Sequence, residues 1–275
     1  MGEHIPHQKR HADRRTNEEL LHAALTQADE GVSWRVIMEL HLRGSRDVFE
    51  CACKLCASPE ARERCVGADI LGQLGTPNHT FPEETLAVLL GMLEREQEPD
   101  VLNSIAVALG HRRDPRAIEP LVRLKKHLDE RVRHGVVFGL LCQEHALAIH
   151  TLMELSTDPD TDVRDWATFG LGSQIEADTP AIREALVARL TDEDEHVRGE
   201  AMLGLARRHD RRMVEPLLAD LEAGWFGSLS TEAAAEIGDP RLYPPLVRLR
   251  EEWAGDRDDW RYRGLETAIE KCRPA

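Results

Sequence analysis

The chain is poor in aromatic residues and has no long apolar stretch. Only 4% of its 275 residues are Phe, Trp or Tyr, whereas alanine and leucine are abundant. β-Sheets favour aromatic and β-branched side chains, so this composition suits closely packed helices better. No run approaches the roughly 18 apolar residues of a membrane-spanning helix. These deficits favour an all-α protein without a membrane span.

The sequence also lacks the marks of an exported, disulfide-stabilised protein. Residues 1–15 are rich in His, Lys and Arg and contain no apolar signal-peptide core. Six cysteines without an export signal are expected to be reduced thiols, as in a cytosol. We therefore expect a cytoplasmic protein with a flexible N-terminal tail, residues 1–16, ahead of a single domain, residues 17–275.

The net charge of −15 is unevenly distributed. Residues 144–200 contain 14 acidic and 4 basic residues, which accounts for −10 of the total. Such a surface repels nucleic-acid backbones and attracts cationic partners. Some of these acids also stand where helices should begin, and there a carboxylate caps free amide groups and favours the helix dipole. The acids expected to act as caps are Asp158, Asp160, Asp162 and residues 192–195.

A sequence motif of about 32 residues recurs along the chain, and a fixed period in this range is typical of a solenoid. Its earlier part opens with an aspartate, at Asp114, Asp178, Asp210 and Asp239, which lie 64, 32 and 29 positions apart. Its later part is a Val-Arg pair followed by a small or apolar residue and then a leucine, at Val132-Arg133, Val163-Arg164 and Val197-Arg198. Because each unit buries its apolar face only against its neighbours, the repeat predicts one continuous array.

Apolar periodicity, capping residues, Pro and Gly together predict about eight helical hairpins, each with a first helix (A) and a second helix (B). The A helices are predicted over 18–28, 46–57, 82–95, 115–127, 145–156, 180–190, 212–223 and 241–253. The B helices are predicted over 32–43, 60–74, 99–110, 130–142, 161–175, 194–208, 228–237 and 258–272.

Proline and glycine mark the expected helix ends. Five prolines are expected in first helical turns, where a missing N–H costs nothing: Pro59, Pro82, Pro115, Pro180 and Pro240. Four others lie about a turn inside A helices and should bend them: Pro120, Pro216, Pro244 and Pro245. Glycines are expected to end B helices in the left-handed conformation at Gly75, Gly110, Gly172 and Gly238.

The recurring aspartate-led and Val-Arg motifs resemble HEAT repeats, specifically the short bacterial subtype also called PBS-lyase HEAT-like. The resemblance is clear over residues 98–250 and weaker at both ends. It implies an α-α superhelix, a HEAT-like solenoid of about eight helical hairpins. In HEAT arrays the arginine after the valine often pairs with an aspartate in an adjacent turn, which implies a structural ladder through Arg133, Arg164 and Arg198.

The same repeat serves scaffolds, inhibitors and enzymes, so it does not by itself indicate a function. Deoxyhypusine hydroxylases resemble this repeat and place His-Glu after Val-Arg on several B helices to form a di-iron site. Here the equivalent pairs are His134-Gly135, Asp165-Trp166 and Gly199-Glu200, which do not supply that donor set. We predict no catalytic site, no metal and no cofactor.

Four cysteines, Cys51, Cys53, Cys56 and Cys65, leave a metal site as an alternative to core thiols. Their C-x-C-x2-C-x8-C spacing is not one of the usual paired C-x2-C zinc arrangements. Small thiols are also good core residues in tightly packed helix pairs. The spacing therefore favours core thiols.

Two enzyme families with this repeat remain the alternative to a binding protein. HEAT-like alkylpurine DNA glycosylases use Trp, Asp and basic residues on a concave surface, and Trp166 beside Asp165 matches part of that set. The surrounding stretch is the most acidic of the chain, which disfavours nucleic acid. Bilin lyases have comparable length and repeats, but no further motif here supports chromophore attachment.

The remaining candidate is a surface on the B helices. Residues three and six past each valine form a stripe beside the buried set, and HEAT arrays place B helices on the concave side. The alternative for Phe138 and Phe169 is packing between repeats. The candidate partner-binding residues are Phe138, Trp166, Phe169, Asp165, Glu200, Leu203 and Glu232. We therefore predict a non-catalytic scaffold, adaptor or immunity-type inhibitor that binds another protein with a basic surface in an acidic groove.

Overall fold

A computed structural model describes residues 13–26, 30–224, 227–253, 255 and 259–274, apart from the side chains of residues 30, 32 and 33. All regular structure within these ranges is helical, so the all-α prediction is confirmed. None of the helices described there is both long and apolar enough to cross a bilayer. The chain divides into two compact units, Met1–Arg112 and Arg113–Ala275.

Unit 1 contains three helical hairpins within its described residues. Its helices are α1 (Asn17–Thr26), α2 (Glu30–Arg43), α3 (Arg46–Cys56), α4 (Ala61–Gln73), α5 (Pro82–Leu93) and α6 (Pro99–Arg112). Consecutive helices pair as α1 with α2, α3 with α4, and α5 with α6. The B helices α2, α4 and α6 also contact one another in sequence, as in a HEAT-like stack.

Unit 2 contains five hairpins within its described residues. Its helices are α7 (Ile118–Val122), α8 (Glu130–Leu140), α9 (Ala146–Leu155), α10 (Thr161–Phe169), α11 (Pro180–Arg189), α12 (Glu195–Arg207), α13 (Val214–Glu222), α14 (Ser228–Ile237), α15 (Tyr243–Glu251) and α16 (Trp260–Lys271). The B helices α8, α10, α12, α14 and α16 each contact the next one. The eight predicted hairpins are thus found, and the single domain over 17–275 stays a prediction.

The repeated valine, small residue and leucine form the core of the B helices. Val132, Val163 and Val197 are fully buried, and so are Ala167 and Ala201. The leucines that follow, Leu140, Leu171 and Leu205, are fully buried too. This set fixes the rotation of each B helix, and with it the residues that flank the core.

An Asp-x-Arg motif begins many of the helices. Asp210, for example, accepts the backbone N–H of Arg212 and pairs with its guanidinium at 2.6 Å. This hydrogen bond from Arg212 lowers the pKa of the Asp210 carboxyl to about 2. The same arrangement occurs at Asp114, Asp129, Asp239 and Asp259. The leading aspartates therefore act as N-caps that also hold the first turn through an ion pair.

The capping prediction is right for Asp160 and wrong for Asp158. The Asp160 side chain accepts the N–H of Val163, as an N-cap does. Asp158 accepts the N–H of the N-cap residue Asp160 rather than one of the helix, and it receives two hydrogen bonds from Arg133. Asp192 likewise accepts the N–H of Asp194 and receives two from Arg164. These two carboxylates lie in the turn before the cap, where the arginine of another hairpin reaches them.

The prolines inside A helices change the helix type rather than bend one continuous helix. Short 3₁₀ turns, Pro115–Ala117, Arg211–Met213 and Pro240–Leu242, precede α7, α13 and α15. The α-helix then begins one or two residues before the next proline, where the missing N–H has no partner to lose. Pro59 was expected in a first turn but precedes Glu60, the N-cap of α4.

Two of the four expected glycine helix ends are confirmed. Gly75 and Gly238 have φ values of 77° and 57°, in the left-handed region. Gly110 lies inside α6, which continues to Arg112. Gly172 lies in a π-helical segment, Gly170–Gln174, which continues α10. At these two positions the helix runs on, so the expected chain reversal was wrong.

The N-terminal tail was expected to be flexible through residue 16, but residues 13–16 are held against unit 1. Arg43 donates to the carbonyls of Asp13 and Arg15 at 2.9 and 2.7 Å. Thr16 and Glu19 exchange side-chain and backbone hydrogen bonds, which caps α1. The prediction for residues 1–12 lies outside the described residues.

Candidate partner-binding surface

Four rings from two neighbouring B helices form an aromatic cluster in unit 2: His134 and Phe138 on α8, and Trp166 and Phe169 on α10. The ring centroids of Phe138 and Trp166 lie 4.5 Å apart, and those of Trp166 and Phe169 lie 5.4 Å apart, edge to face. These separations are favourable for aromatic pairs. The cluster joins two repeats and is centred on Trp166.

All four rings are half-buried, so the surface and the core interpretations each hold in part. Phe138 packs across the repeat boundary on Trp166, as expected of an inter-repeat contact. Its neighbour Val137, in contrast, is fully buried. Burial lowers the pKa of His134, because the charged imidazolium loses hydration there. The cluster therefore holds two helices together and still presents ring surface to solvent.

Two carboxylates border the aromatic cluster, Asp165 on α10 and Glu200 on α12. Oδ1 of Asp165 and Oε2 of Glu200 are shielded from water and have no hydrogen-bond partner among the described residues. Burial raises the pKa of both carboxyls, and that of Glu200 reaches about 7. The charge of Asp165 is the next largest cause of the Glu200 shift. Unpaired buried carboxylate oxygens are costly, so this pair is a strained acceptor site in the uncomplexed protein.

The π-helical segment Gly170–Gln174 places Ser173 beside Glu200. A hydrogen bond from the Ser173 side chain lowers the Glu200 pKa and opposes part of the desolvation effect. The segment from Arg164 to the next N-cap, Thr179, is three residues longer than that from Arg198 to Asp210. One of these residues lengthens the helical stretch, which ends in the π turn, and two lengthen the connection to Thr179. A π turn often occurs at functional sites.

Gly172 and Gly204 allow α10 and α12 to approach closely at this point. A Cβ atom on Gly172 would lie 3.0 Å from the Glu200 carbonyl oxygen and 3.1 Å from the Gly204 Cα. A Cβ on Gly204 would lie 2.5 Å from the Gly172 Cα. Glycine at both positions is therefore required by packing, and it brings Glu200 against the end of α10.

Arg208 also holds α12 against the π-helical segment that continues α10. Its guanidinium donates to the carbonyl oxygens of Leu171, Gly172, Ile175 and Ala177, at 2.8 to 3.1 Å. In unit 1 the guanidinium of Arg112 binds the carbonyls of Leu71 and Thr80 in the same manner. This role of Arg112 and Arg208 was not predicted from the sequence. The only signal was a recurring arginine at the end of a B helix.

The predicted arginine ladder is present in unit 2, and unit 1 contains an equivalent pair. Arg133 binds both carboxylate oxygens of Asp158 at 2.8 Å, and Arg64 pairs with Glu96 at 2.7 Å. Each ladder arginine also donates to the carbonyls five and six residues before it. Arg198 is the loosest member, 3.7 Å from Asp220. These arginines are structural, as predicted.

The structure brings five of the seven predicted surface residues together and separates two. Phe138, Asp165, Trp166, Phe169 and Glu200 form one continuous patch across α8, α10 and α12. Leu203 is only 2% exposed, so it belongs to the core and its assignment to the binding surface was wrong. Glu232 is exposed on α14 and lies 3.9 Å from Arg207, at the margin of the patch.

The four N-terminal cysteines lie on α3 and α4. Cys56 is 2% exposed, and burial raises the pKa of its thiol to about 12. Cys51, Cys53 and Cys65 are half-buried, and burial raises the Cys65 pKa to about 11. Among the described side chains, no three His, Cys, Asp or Glu residues are grouped to hold a metal ion. Core packing accounts for Cys56 most directly.

Comparison with known proteins identifies the repeat. A family model described as HEAT repeats matches residues 149–225, which include α10 to α13. Residues 149–225 therefore carry HEAT repeats. Among curated proteins, the chain is 28% identical to protein YibA of Escherichia coli K12 over 214 residues, which is 75% of either chain.

Solved structures show the same architecture. The X-ray structure of Escherichia coli YibA superposes with a TM-score of 0.72 at 26% identity, covering 94% of this chain and 92% of YibA. Kap95p bound to RanGDP superposes with a TM-score of 0.56 at 14% identity, covering 93% of this chain and 38% of Kap95p. The CpcE–CpcF phycocyanin lyase complex of Nostoc sp. PCC7120 reaches a TM-score of only 0.49 at 17% identity, with 99% of each chain covered. The similarities to YibA and Kap95p support the all-α, HEAT-like fold.

Proposed function

We propose that this HEAT-repeat protein binds a basic protein or peptide, without catalysis, on the B-helix face of unit 2. The observation that carries the proposal is the half-buried aromatic cluster bordered by Asp165 and Glu200. Large amphipathic rings supply most of the binding free energy at protein interfaces. Acidic side chains beside them select a partner of opposite charge.

The charge around the patch supports a cationic partner. The stretch 144–200 carries 14 acids against 4 bases, and the ladder and helix caps use only some of these acids. Kap95p, which shares the fold, binds the protein RanGDP, so the architecture is suited to protein partners. Two roles fit this chemistry: a scaffold or adaptor, and an inhibitor of immunity type that neutralises a cationic enzyme. The cytoplasmic location expected from the sequence is part of the proposal.

The runner-up function is a HEAT-like enzyme, either a bilin lyase or an alkylpurine DNA glycosylase. A glycosylase needs cations near the aromatic residues to hold the phosphate backbone. Here Trp166 has Asp165 next to it in sequence and Glu200 on the adjoining helix. Arg112 at the end of α6 and Arg208, the C-cap of α12, bind backbone carbonyls instead. The local charge therefore favours the protein partner.

The proposal is tested by quantitative affinity capture from native lysate. Wild-type protein, Trp166→Ala and a control variant, Glu236→Gln, are immobilised and compared by mass spectrometry. Glu236 is an exposed acid of α14, so its variant matches a loss of surface charge outside the patch. We expect a basic protein that is retained by the wild type and by the control but lost by Trp166→Ala.

With the captured partner purified, calorimetry should show a loss of roughly 2 kcal/mol or more in binding free energy for Trp166→Ala. An acidic partner, or a partner held equally by all three baits, would show that the patch is not the binding surface.

A further inference from the structure

We propose that Asp165, Trp166 and Glu200 form a pocket for one arginine side chain of the partner, with the guanidinium bound between the two carboxylates. This inference deepens the proposed function and rests on it. It identifies the chemical group that is recognised and the place where it is bound.

The first argument is that one oxygen of each carboxylate has no hydrogen-bond donor among the described residues. Oδ1 of Asp165 and Oε2 of Glu200 each lack a hydrogen-bond donor, although the protein provides one for nearly every ladder and capping carboxylate around them. Both residues keep part of their surface exposed. Both oxygens are shielded from water, so a cation at the exposed edge reaches a carboxylate oxygen when the terminal torsion rotates, and that torsion is soft. A donor from outside the chain would complete the site.

The second argument is that a guanidinium matches the arrangement of the two carboxylates. The two acceptors stand on neighbouring helices, α10 and α12, so a ligand must donate in two directions at once. A guanidinium has five N–H donors in one plane and also stacks on aromatic faces. An ammonium group has a compact charge and strong hydration, which makes it the weaker match. Trp166, the centre of the aromatic cluster, provides the ring beside Asp165.

The third argument is that the arginines described around the site are held by other groups. Arg164, next to Asp165, is held by Asp192 and by two backbone carbonyls. Arg208 is held by the carbonyls at the end of the π-helical segment. Arg207 acts on Glu200 only through its charge and lies 3.9 Å from Glu232. The pair is therefore open to a cation from a partner.

Protons compete with the guanidinium for this pair. Burial raises the pKa of both carboxyls, and the charge of Asp165 raises that of Glu200 further, so both groups bind protons more readily than ordinary surface acids. The surrounding charged and polar groups are His134 on α8, Asp162 on α10, Ser173 on the π-helical segment, Asp194, His196 and Arg207 at α12, and Glu232 on α14. Arginine binding releases the bound proton, and it should strengthen as pH rises through about 7.

The pocket is tested with N-acetyl-arginine amide as the probe, and with the lysine and citrulline analogues as controls. Binding is followed by the NMR signal of the Trp166 indole N–H, which is assigned with Trp166→Phe. We expect a saturable shift with the arginine probe at pH 8, a smaller one with lysine and none with citrulline. Glu200→Gln and Asp165→Asn should each weaken binding about tenfold, which is the loss of one charge-assisted hydrogen bond. Glu236→Gln should bind as the wild type does.

Lowering the pH from 8 to 5.5 should weaken arginine binding about tenfold or more in the wild type and far less in Glu200→Gln. A thermal melt of each variant shows that it is folded. Equal binding of lysine and arginine, or unchanged binding in both carboxylate variants, overturns the pocket. Capture of a basic partner that survives Glu200→Gln, with no arginine-probe shift, overturns the pocket and leaves the proposed function standing.

Discussion

Arg164 and Asp192 lie 28 residues apart in the sequence and meet in a two-point ion pair between successive hairpins. Nε of Arg164 donates to Oδ2 of Asp192, and Nη2 donates to Oδ1, both at 3.2 Å. The guanidinium also donates to the carbonyls of Asp158 and Pro159. One side chain thus ties its own turn to the turn of the following repeat, which sets the spacing of α10 and α12 beneath the candidate surface.

The first prediction concerns this ion pair. Arg164→Ala should lower the free energy of unfolding by about 3–5 kcal/mol, because it leaves the buried Asp192 carboxylate without its principal donor. The measurement is a urea melt followed by circular dichroism. Arg123→Ala is the control, since its side chain is 73% exposed and pairs with Glu119; it should cost less than about 1 kcal/mol. Equal losses in both variants would contradict a structural role for the ladder.

The second prediction concerns the stability of the aromatic cluster. Trp166→Ala should cost about 1–3 kcal/mol of folding free energy, because Trp166 is half-buried and leaves an open notch rather than a closed cavity. Phe49→Ala is the matched aromatic control, since Phe49 is 5% exposed and packs on Phe81. Its cost should be about 3–5 kcal/mol. A larger loss for Trp166 than for Phe49 would place Trp166 in the core.

The third prediction concerns the pH dependence of stability. The Glu200 carboxyl has a pKa of about 7 in the folded state, against an ordinary value of 4.5. A raised folded pKa means that the folded state binds the proton more tightly. The contribution of Glu200 to stability is therefore complete below about pH 4.5 and is lost as pH rises through about 7.

Glu200→Gln removes this dependence. Between pH 5 and pH 8 its unfolding free energy should rise relative to wild type by on the order of 2 kcal/mol. Chemical denaturation at several pH values measures the difference, and Glu236→Gln should track the wild type throughout. If the difference in unfolding free energy between Glu200→Gln and wild type does not change with pH, the Glu200 carboxylate is already hydrogen-bonded in the folded wild-type protein.

The fourth prediction concerns the N-terminal thiols. Circular dichroism after exhaustive chelation should be unchanged, and purified protein should contain no stoichiometric zinc, because Cys56 is a buried core thiol. Cys56 should also resist alkylation at pH 8, since its thiol has a pKa of about 12. Loss of helix on chelation, or one zinc per chain, would restore the metal interpretation for Cys51, Cys53, Cys56 and Cys65.

The fifth prediction concerns nucleic acid. Duplex DNA should bind no more tightly than a non-specific contact at physiological salt, because the stretch around the aromatic cluster carries a large excess of acids. A gel-shift titration over a range of salt concentrations measures this. Submicromolar binding that weakens steeply with added salt would contradict the protein-partner proposal and favour the glycosylase alternative.

Much of the candidate surface could be predicted because one B helix resembles the next. Once Val163 and Val197 are assigned to the core, helical geometry places Trp166 and Glu200 on the flank. The same reasoning failed for Leu203, which is buried against neighbouring helices that a single-helix projection does not include. It also gave no account of Arg208, most of whose acceptors are backbone carbonyls more than 30 residues earlier in the sequence.

The sequence by itself determined the helices, their caps and the repeat, because these depend on contacts within a few residues and on a periodic apolar pattern. It also determined that the chain carries HEAT repeats. Only the tertiary structure decided that the Asp165 and Glu200 carboxylates share one site, with an oxygen of each left unpaired. That outcome depends on how closely α10 and α12 approach at Gly172 and Gly204, and on the π turn that brings Ser173 to Glu200. Such distances between repeats arise from the packing of whole helices. A local pattern of residues does not predict them.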